Sequence, residues 1–312
     1  MTGQDLVRRF FGENSRAWVE ASYQGDGYGF PSAYARFRKT AAILAQQFPN
    51  CDAKIADLGC GAGQLCLKLA RKGFQVVGVD ESEPMLAQGL RELASLAKEV
   101  QSRVRFINRD LLDNGLDDSS CDSVISLGVI GYLPDDDVLF KEAARLLRPG
   151  GIFILSCRNR LFNMVSLSDY TLREIDQGSA KELVQEIREL FQRIPNGDAL
   201  RFVTNLASIA ENLMSELAQD PVEQPLPATA SFTTSIEARQ HTPKQILETA
   251  SLQGFKHEEF YGVHPHLMMA GLNHSFPANT YNPLSSSLDT LDHLPVSLIW
   301  SSVFIGVFHK TS

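Results

Sequence analysis

The chain has 312 residues, with 29 Lys and Arg against 37 Asp and Glu for a net charge of −8, and 44% hydrophobic against 21% charged content. Such a composition fits one globular α/β domain with an elaboration. The acidity opposes a nucleic-acid partner, whose phosphates are neutralised by Lys and Arg, and no apolar run reaches the ~18 residues a membrane helix needs. The start, Met1-Thr2-Gly3-Gln4-Asp5, reads as a polar helix rather than a signal sequence. A cytoplasmic setting with no membrane partner is therefore the expectation. Five cysteines without C-x-x-C pairing point to reduced thiols, and no metal is expected.

Residues 1–50 form an arm rich in aromatics (Phe10, Phe11, Trp18, Tyr23, Tyr28, Phe30, Tyr34, Phe37), with a helix predicted from about Pro31 to Phe48. From Lys54 to Leu58 an apolar run containing Asp57 reads as a strand, and it breaks into Gly59, Gly61 and Gly63 before a helical pattern begins at Gln64. Glycines there permit φ > 0 and close approach of a ligand to bare peptide groups at a helix start. A dinucleotide loop wants G-x-G-x-x-G; here Gln64 stands where the third glycine belongs, and Asp57 sets a carboxylate where a pyrophosphate would lie. A ligand carrying an ammonium group suits this turn better.

A second strand, Phe74 to Asp80, ends in an acid placed to take ribose hydroxyls. Ser82 is the predicted cap of the next helix, with Pro84 in its first turn and Met85, Leu86, Leu90, Leu93 and Leu96 at helical spacing. Val104 to Leu111 reads as a third strand carrying Asp110 at its end, Asp122 to Gly128 as a fourth, and a Pro149-Gly150-Gly151 turn leads into a fifth through Leu155. Asp57, Asp80 and Asp110 then share the C-terminal edge of a parallel sheet, where open α/β sheets place their ligands. Taken singly, each is equally readable as a turn or cap residue. Leu127, Gly128 and Val129 border the same crevice.

Beyond the fifth strand, Leu183, Val184, Ile187, Leu190, Phe191 and Ile194 form one helical stripe and Val203, Leu206, Ala210, Leu213 and Leu217 another. Pro221, Pro225 and Pro227 mark an extended return. A helix announced by Thr242-Pro243 and closed by Gly254 precedes a sixth strand, Phe255 to Val263, and a seventh runs from Ser301 to Phe308.

The D-x-G-x-G-x-G turn and the elements after it, closely over residues 54–158, resemble class I S-adenosylmethionine-dependent methyltransferases. The resemblance implies a Rossmann-like α/β fold, a seven-stranded sheet ordered 3-2-1-4-5 and completed by two late strands, the last antiparallel, with a helical cap inserted after the fifth. It implies S-adenosyl-L-methionine as cofactor, held by Asp57, Gly59, Gly61 and Gly63, by Asp80 at the ribose, by Met85, Asp110 and Leu111 at the adenine, and by Leu127. The aromatic arm looks like that of quinone-pathway and porphyrin-ester methyltransferases, in which an Arg before the first strand approaches the methionine moiety; Arg36 is the candidate, with Arg38 beside it. The stretch Ser156 to Asn163 resembles enzymes of surface-glycan and natural-product pathways.

The expected organisation is an arm (1–50), a cofactor-binding core (51–160), a helical cap and linker (161–235), and a C-terminal part of the core (236–312) with a long loop over 265–299. The cap is expected to wall the acceptor pocket. His264 or His266 is the expected general base, histidine being tuned to take a proton near neutral pH, with Tyr132 in the same neighbourhood; either histidine is also readable as a turn residue. Arg158 and Arg160 are placed to pair with an acid or phosphate on the acceptor. The reading is methyl transfer to a hydroxyl oxygen of a small biosynthetic intermediate, with N- or C-methylation, or a non-catalytic cofactor-binding protein, as alternatives. The oligomeric state is open, a homodimer included.

Overall fold

Seven strands, β1 (Lys54–Leu58), β2 (Gln75–Asp80), β3 (Val104–Asn108), β4 (Cys121–Leu127), β5 (Leu147–Arg158), β6 (Phe255–Pro265) and β7 (Ser301–Lys310), form one sheet ordered β3-β2-β1-β4-β5-β7-β6. The first five pair in parallel, and β7 runs antiparallel to both of its neighbours. This is the predicted topology. The coordinates are a computed structural model describing residues 3–14, 32–192, 238–266 and 288–311, with scattered positions between 197 and 211 and positions 281, 282, 285 and 286.

Both faces of the sheet are covered by helices, so the central strands are apolar on both sides. Alternation sends Ala56 and Leu58 of β1 into one core with Phe140, Phe153, Phe255 and Phe308, and sends Ile55 into the other with Leu44, Leu65, Leu69 and Phe74. Asp57 follows Ile55 to that second face. It is buried there, and its Oδ2 accepts a hydrogen bond from the Cys66 thiol at 3.3 Å.

The helices are α1 (Gly3–Glu13), α2 (Ser32–Gln47), α3 (Gln64–Lys72), α4 (Glu83–Ala94), α5 (Lys98–Gln101), α6 (Asp136–Leu146), α7 (Asn163–Ser166), α8 (Asp169–Asp176), α9 (Ala180–Gln192), α10 (Pro243–Leu252) and α11 (Ser297–Trp300). The Pro149-Gly150-Gly151 turn lies within β5: Cys121 pairs with Leu147 and Ser123 with Ile152, so the extra residues bulge out of register. Thr242 caps α10 reciprocally with Gln245, as its sequence suggests. Ser82 stands at the N-terminus of α4 in extended conformation, yet its hydroxyl caps nothing. The segment after β6 is less open than a plain loop, since Leu288, Leu291, Leu294 and Val296 pack into a small core of their own.

The insertion after β5 is helical over α7, α8 and α9, and Leu183 turns inward while Val184 and Phe191 remain exposed. Most of the second stripe, the prolines at 221, 225 and 227, and the aromatics Trp18, Tyr23, Tyr28 and Phe30 lie outside the described residues. No helix among the described residues is long and apolar enough to cross a membrane.

Candidate active site

The crevice at the C-terminal ends of the strands is a cavity of about 290 Å³. Its floor is the turn after β1. Gly59 and Gly61 hold φ of 77° and 57°, and a Cβ on Gly59 would stand 2.4 Å from Val129 Cγ2, so a side chain has no room there. Asp80, at the end of β2, locks this turn: its Oδ2 accepts from Gly61 N–H and its Oδ1 from Ser82 N–H, both at 2.8 Å. Burial raises the Asp80 pKa against these two hydrogen bonds. Asp57 is pushed up to about 7 by burial, with the Cys66 hydrogen bond opposing. Burial disfavours the ionised form of such a carboxyl, and an opposite charge beside it would favour that form.

Asp57, Gly59, Gly61, Asp80, Met85, Asp110, Leu111, Leu127, Arg36 and Tyr132 all line this cavity, so the structure brings together nearly every predicted contact. Gly63 is the exception among the glycines. It sits at the N-terminus of α3 with φ 72°, and a Cβ there would meet the Phe106 ring at 2.3 Å; it serves helix packing rather than the cavity wall.

Arg36 reaches in from α2. Its Nη1 lies 3.4 Å from Ser156 Oγ and its Nε donates to Ser32 O at 3.3 Å, while the guanidinium crosses over Gly128. Arg38 points elsewhere, to Asp289. The N-terminal helix contributes Val7, Arg8 and Phe11 to the wall. Arg8 Nη2 bonds Glu81 Oε2 at 2.6 Å, and the Phe11 ring stands edge-on to Tyr132 at 5.5 Å. Burial raises the Tyr132 phenol, with Arg158 and Arg36 opposing.

Neither His264 nor His266, the expected bases, is among the described residues that line the cavity. His264 has φ 59°, a left-handed conformation that turns its ring to Ser302 Oγ at 3.1 Å and Tyr281 Oη at 3.2 Å. His266 Nδ1 shares that hydroxyl at 3.2 Å, and its ring stacks on Phe162 at 4.5 Å. Arg160 is likewise spent, bonding Glu174 through Nε at 2.9 Å and Nη2 at 2.6 Å. Met268, Met269 and His274 lie outside the described residues. No described residue of the insertion lines the cavity; Ala238 and Arg239, just before α10, do so instead.

Several wall residues had no sequence signal. Val303 comes from β7, paired with Arg158 of β5 only once the sheet is complete. Ser82, expected as a helix cap, also lines the cavity, and its hydroxyl is buried without a hydrogen-bond partner.

Residues 56–155 match the family described as a methyltransferase domain. The chain carries a class I S-adenosylmethionine-dependent methyltransferase domain. This methyltransferase domain is similar to the ubiquinone biosynthesis O-methyltransferase of Bradyrhizobium diazoefficiens, 28% identical over 169 residues that make up 49% of this chain and 59% of that protein. It is 33% identical to the enzyme of the same name from Alkalilimnicola ehrlichii over 131 residues, 40% and 51% of the two chains. The chain thus spans about half the length of these curated relatives. Magnesium protoporphyrin IX methyltransferase from Synechocystis PCC 6803, solved with bound SAH, shares the fold of the methyltransferase domain and its additions, with a TM-score of 0.56, 15% identity and coverage of 99% and 100%.

Proposed function

We propose that the protein transfers the methyl group of S-adenosyl-L-methionine to a hydroxyl oxygen of a small biosynthetic intermediate. The observation that carries this reading is the convergence of Asp57, Asp80 and Asp110 on one cavity whose opposite side holds Tyr132 and Arg158.

The residues fit the cofactor. Each Asp80 oxygen accepts one backbone N–H and keeps a lone pair for a ribose hydroxyl. Asp57 meets an ammonium, Arg36 a carboxylate, and Met85 with Asp110 and Leu111 an adenine. When bound, the cofactor supplies a methyl already activated on a sulfonium. The protein's task is then to align the acceptor and exclude water. Phe11 on α1 lines the cavity and packs edge-on against Tyr132. The Tyr132 phenol, protonated at neutral pH and raised further by burial, would orient an acceptor hydroxyl by hydrogen bonding, and the proton that this oxygen loses as the S–CH3 bond breaks and the O–CH3 bond forms would pass to solvent.

The O-methyltransferase names of the relatives support oxygen over nitrogen or carbon. The acidic net charge supports a small-molecule partner over nucleic acid, and a cytoplasmic setting goes with this reading. Incubation with donor labelled in its methyl group, across a panel of hydroxylated aromatics, should yield a labelled methyl ether, and Tyr132→Phe should lower kcat about tenfold without changing donor affinity. Retention of donor with no labelled product from any acceptor would leave a binding protein instead.

A further inference from the structure

Among the described residues, four arginines line the cavity: Arg8, Arg36, Arg158 and Arg239. Three are committed. Arg8 holds Glu81; Arg36 bonds Ser32 and Ser156; Arg239 holds Asp136 and the carbonyls of Ile130 and Leu133. The guanidinium of Arg158, at the C-terminal end of β5, has no hydrogen bond or ion pair among the described residues, while its backbone carbonyl accepts from His241 N–H at 3.1 Å. It stands beside Cys157, Val303 and Tyr132, in the half of the cavity away from the carboxylates of β1, β2 and β3.

A guanidinium is charged at every physiological pH and carries a rigid fork of donors that matches a carboxylate or phosphate. Leaving it partly desolvated against apolar walls is costly unless an anion completes it. The rest of the protein does not favour anions: the net charge is −8, and the other end of the cavity holds Asp57, Asp80, Glu81 and Asp110. An anionic group entering here is therefore driven to one end, away from the acids and beside Tyr132.

Building on the methyltransferase reading, we propose that the acceptor carries an oxyanion, a carboxylate or phosphate, and that Arg158 is the residue that selects for it. The charge segregation orients the acceptor: its anion sits on Arg158 and its hydroxyl on Tyr132, which lies near enough to Arg158 to feel its field.

The test uses the full chain saturated with S-adenosylhomocysteine, titrated calorimetrically with 4-hydroxybenzoate, 4-hydroxyphenyl phosphate and the neutral 4-hydroxybenzamide. The anions should bind at least tenfold more tightly than the amide. Arg158→Gln should erase that preference and Arg158→Lys should restore part of it, with S-adenosylhomocysteine affinity changed less than twofold in both. Comparison of the first two ligands distinguishes carboxylate from phosphate. Equal binding of anions and amide to the wild-type protein, or a preference that survives in Arg158→Gln, overturns the assignment. Weakened S-adenosylhomocysteine binding in Arg158→Gln also overturns it, placing the arginine on the donor. Failure of the wild-type protein to bind S-adenosylhomocysteine overturns the functional reading itself.

Discussion

Each oxygen of the Asp80 carboxylate already accepts one backbone N–H, from Gly61 and from Ser82, so this one side chain both shapes the glycine turn and presents lone pairs to a ribose. Its removal should act twice. Asp80→Ala is expected to weaken S-adenosylhomocysteine binding by about 1.5–3 kcal/mol, the range for hydrogen bonds to a charged group, and Asp80→Asn by less, because the amide oxygen still accepts. Calorimetry reads both, and unchanged affinity in the Ala variant would remove Asp80 from the site. Residues of this kind were legible in the sequence because their position follows from local backbone: an acid at a strand end lies at the sheet edge wherever the strand goes. The arginines and histidines were not legible in that way. Arg160 meets Glu174, Arg38 meets Asp289 and His264 meets Tyr281 and Ser302, partners fixed only by tertiary folding. For His264 a single left-handed φ decides which way the ring turns, and the sequence shows no glycine or asparagine to announce it.

At the level of elements, the end of β4 is where two segments distant in sequence must pass closely. Gly128 has φ 76°, and a Cβ there would stand 2.4 Å from Arg36 Nη1, so the helix bearing Arg36 can lay its guanidinium across the strand end only over a glycine. Gly128→Ala should cost stability by ~1–2 kcal/mol from the left-handed conformation and displace the guanidinium, weakening donor-product binding. The two effects separate in a double variant. In an Arg36→Ala background, Gly128→Ala should retain its thermal penalty and lose its effect on affinity, since residues in contact are non-additive. Additive affinity losses would mean that Arg36 and Gly128 act independently. The strands were readable one by one from their apolar runs and the turn residues that bound them, whereas their order and the antiparallel last strand came from the family resemblance. The cap was readable only as helices: amphipathic spacing announces α9 but not which surface its apolar stripe meets, and among the described residues the cavity wall comes from α1, α2, the strand ends and the residues before α10.

Across the whole molecule, burial raises the pKa of several carboxylates. Asp57 is raised to about 7 and Asp289 to about 6, with Asp80, Asp292 and Glu186 raised as well, burial being the first cause in each. Asp136 and Glu174 go the other way: burial, the largest single cause in each, is outweighed by the hydrogen bonds and charges of His241 and Arg239 together on Asp136 and by those of Arg160, Ser179 and Asn163 together on Glu174. For a carboxylate raised on folding, the folded state binds more protons than the unfolded one between the ordinary value near 4 and the raised value, so stability is full below about 4 and falls as pH rises towards 7. The lowered pair contributes stability that is lost only below about pH 4. The ligand-free protein is therefore expected to melt at a lower temperature at pH 7.5 than at pH 5.5. A ligand that brings an ammonium to Asp57 reverses this for that group, because it favours the ionised carboxylate; its affinity then rises with pH until Asp57 is fully ionised. At a hundredfold excess over Kd a ligand stabilises by about 2.7 kcal/mol, and as Kd improves with pH that excess grows at fixed concentration. S-adenosylhomocysteine at one concentration should thus raise the melting temperature more at pH 7.5 than at pH 5.5. In Asp57→Asn, which keeps an acceptor for the Cys66 thiol but cannot ionise, the ligand-free protein should melt higher than wild type at pH 7.5 and the pH dependence of the ligand shift should flatten. An equal thermal shift at both pH values in the wild-type protein would show that the cation does not sit on Asp57.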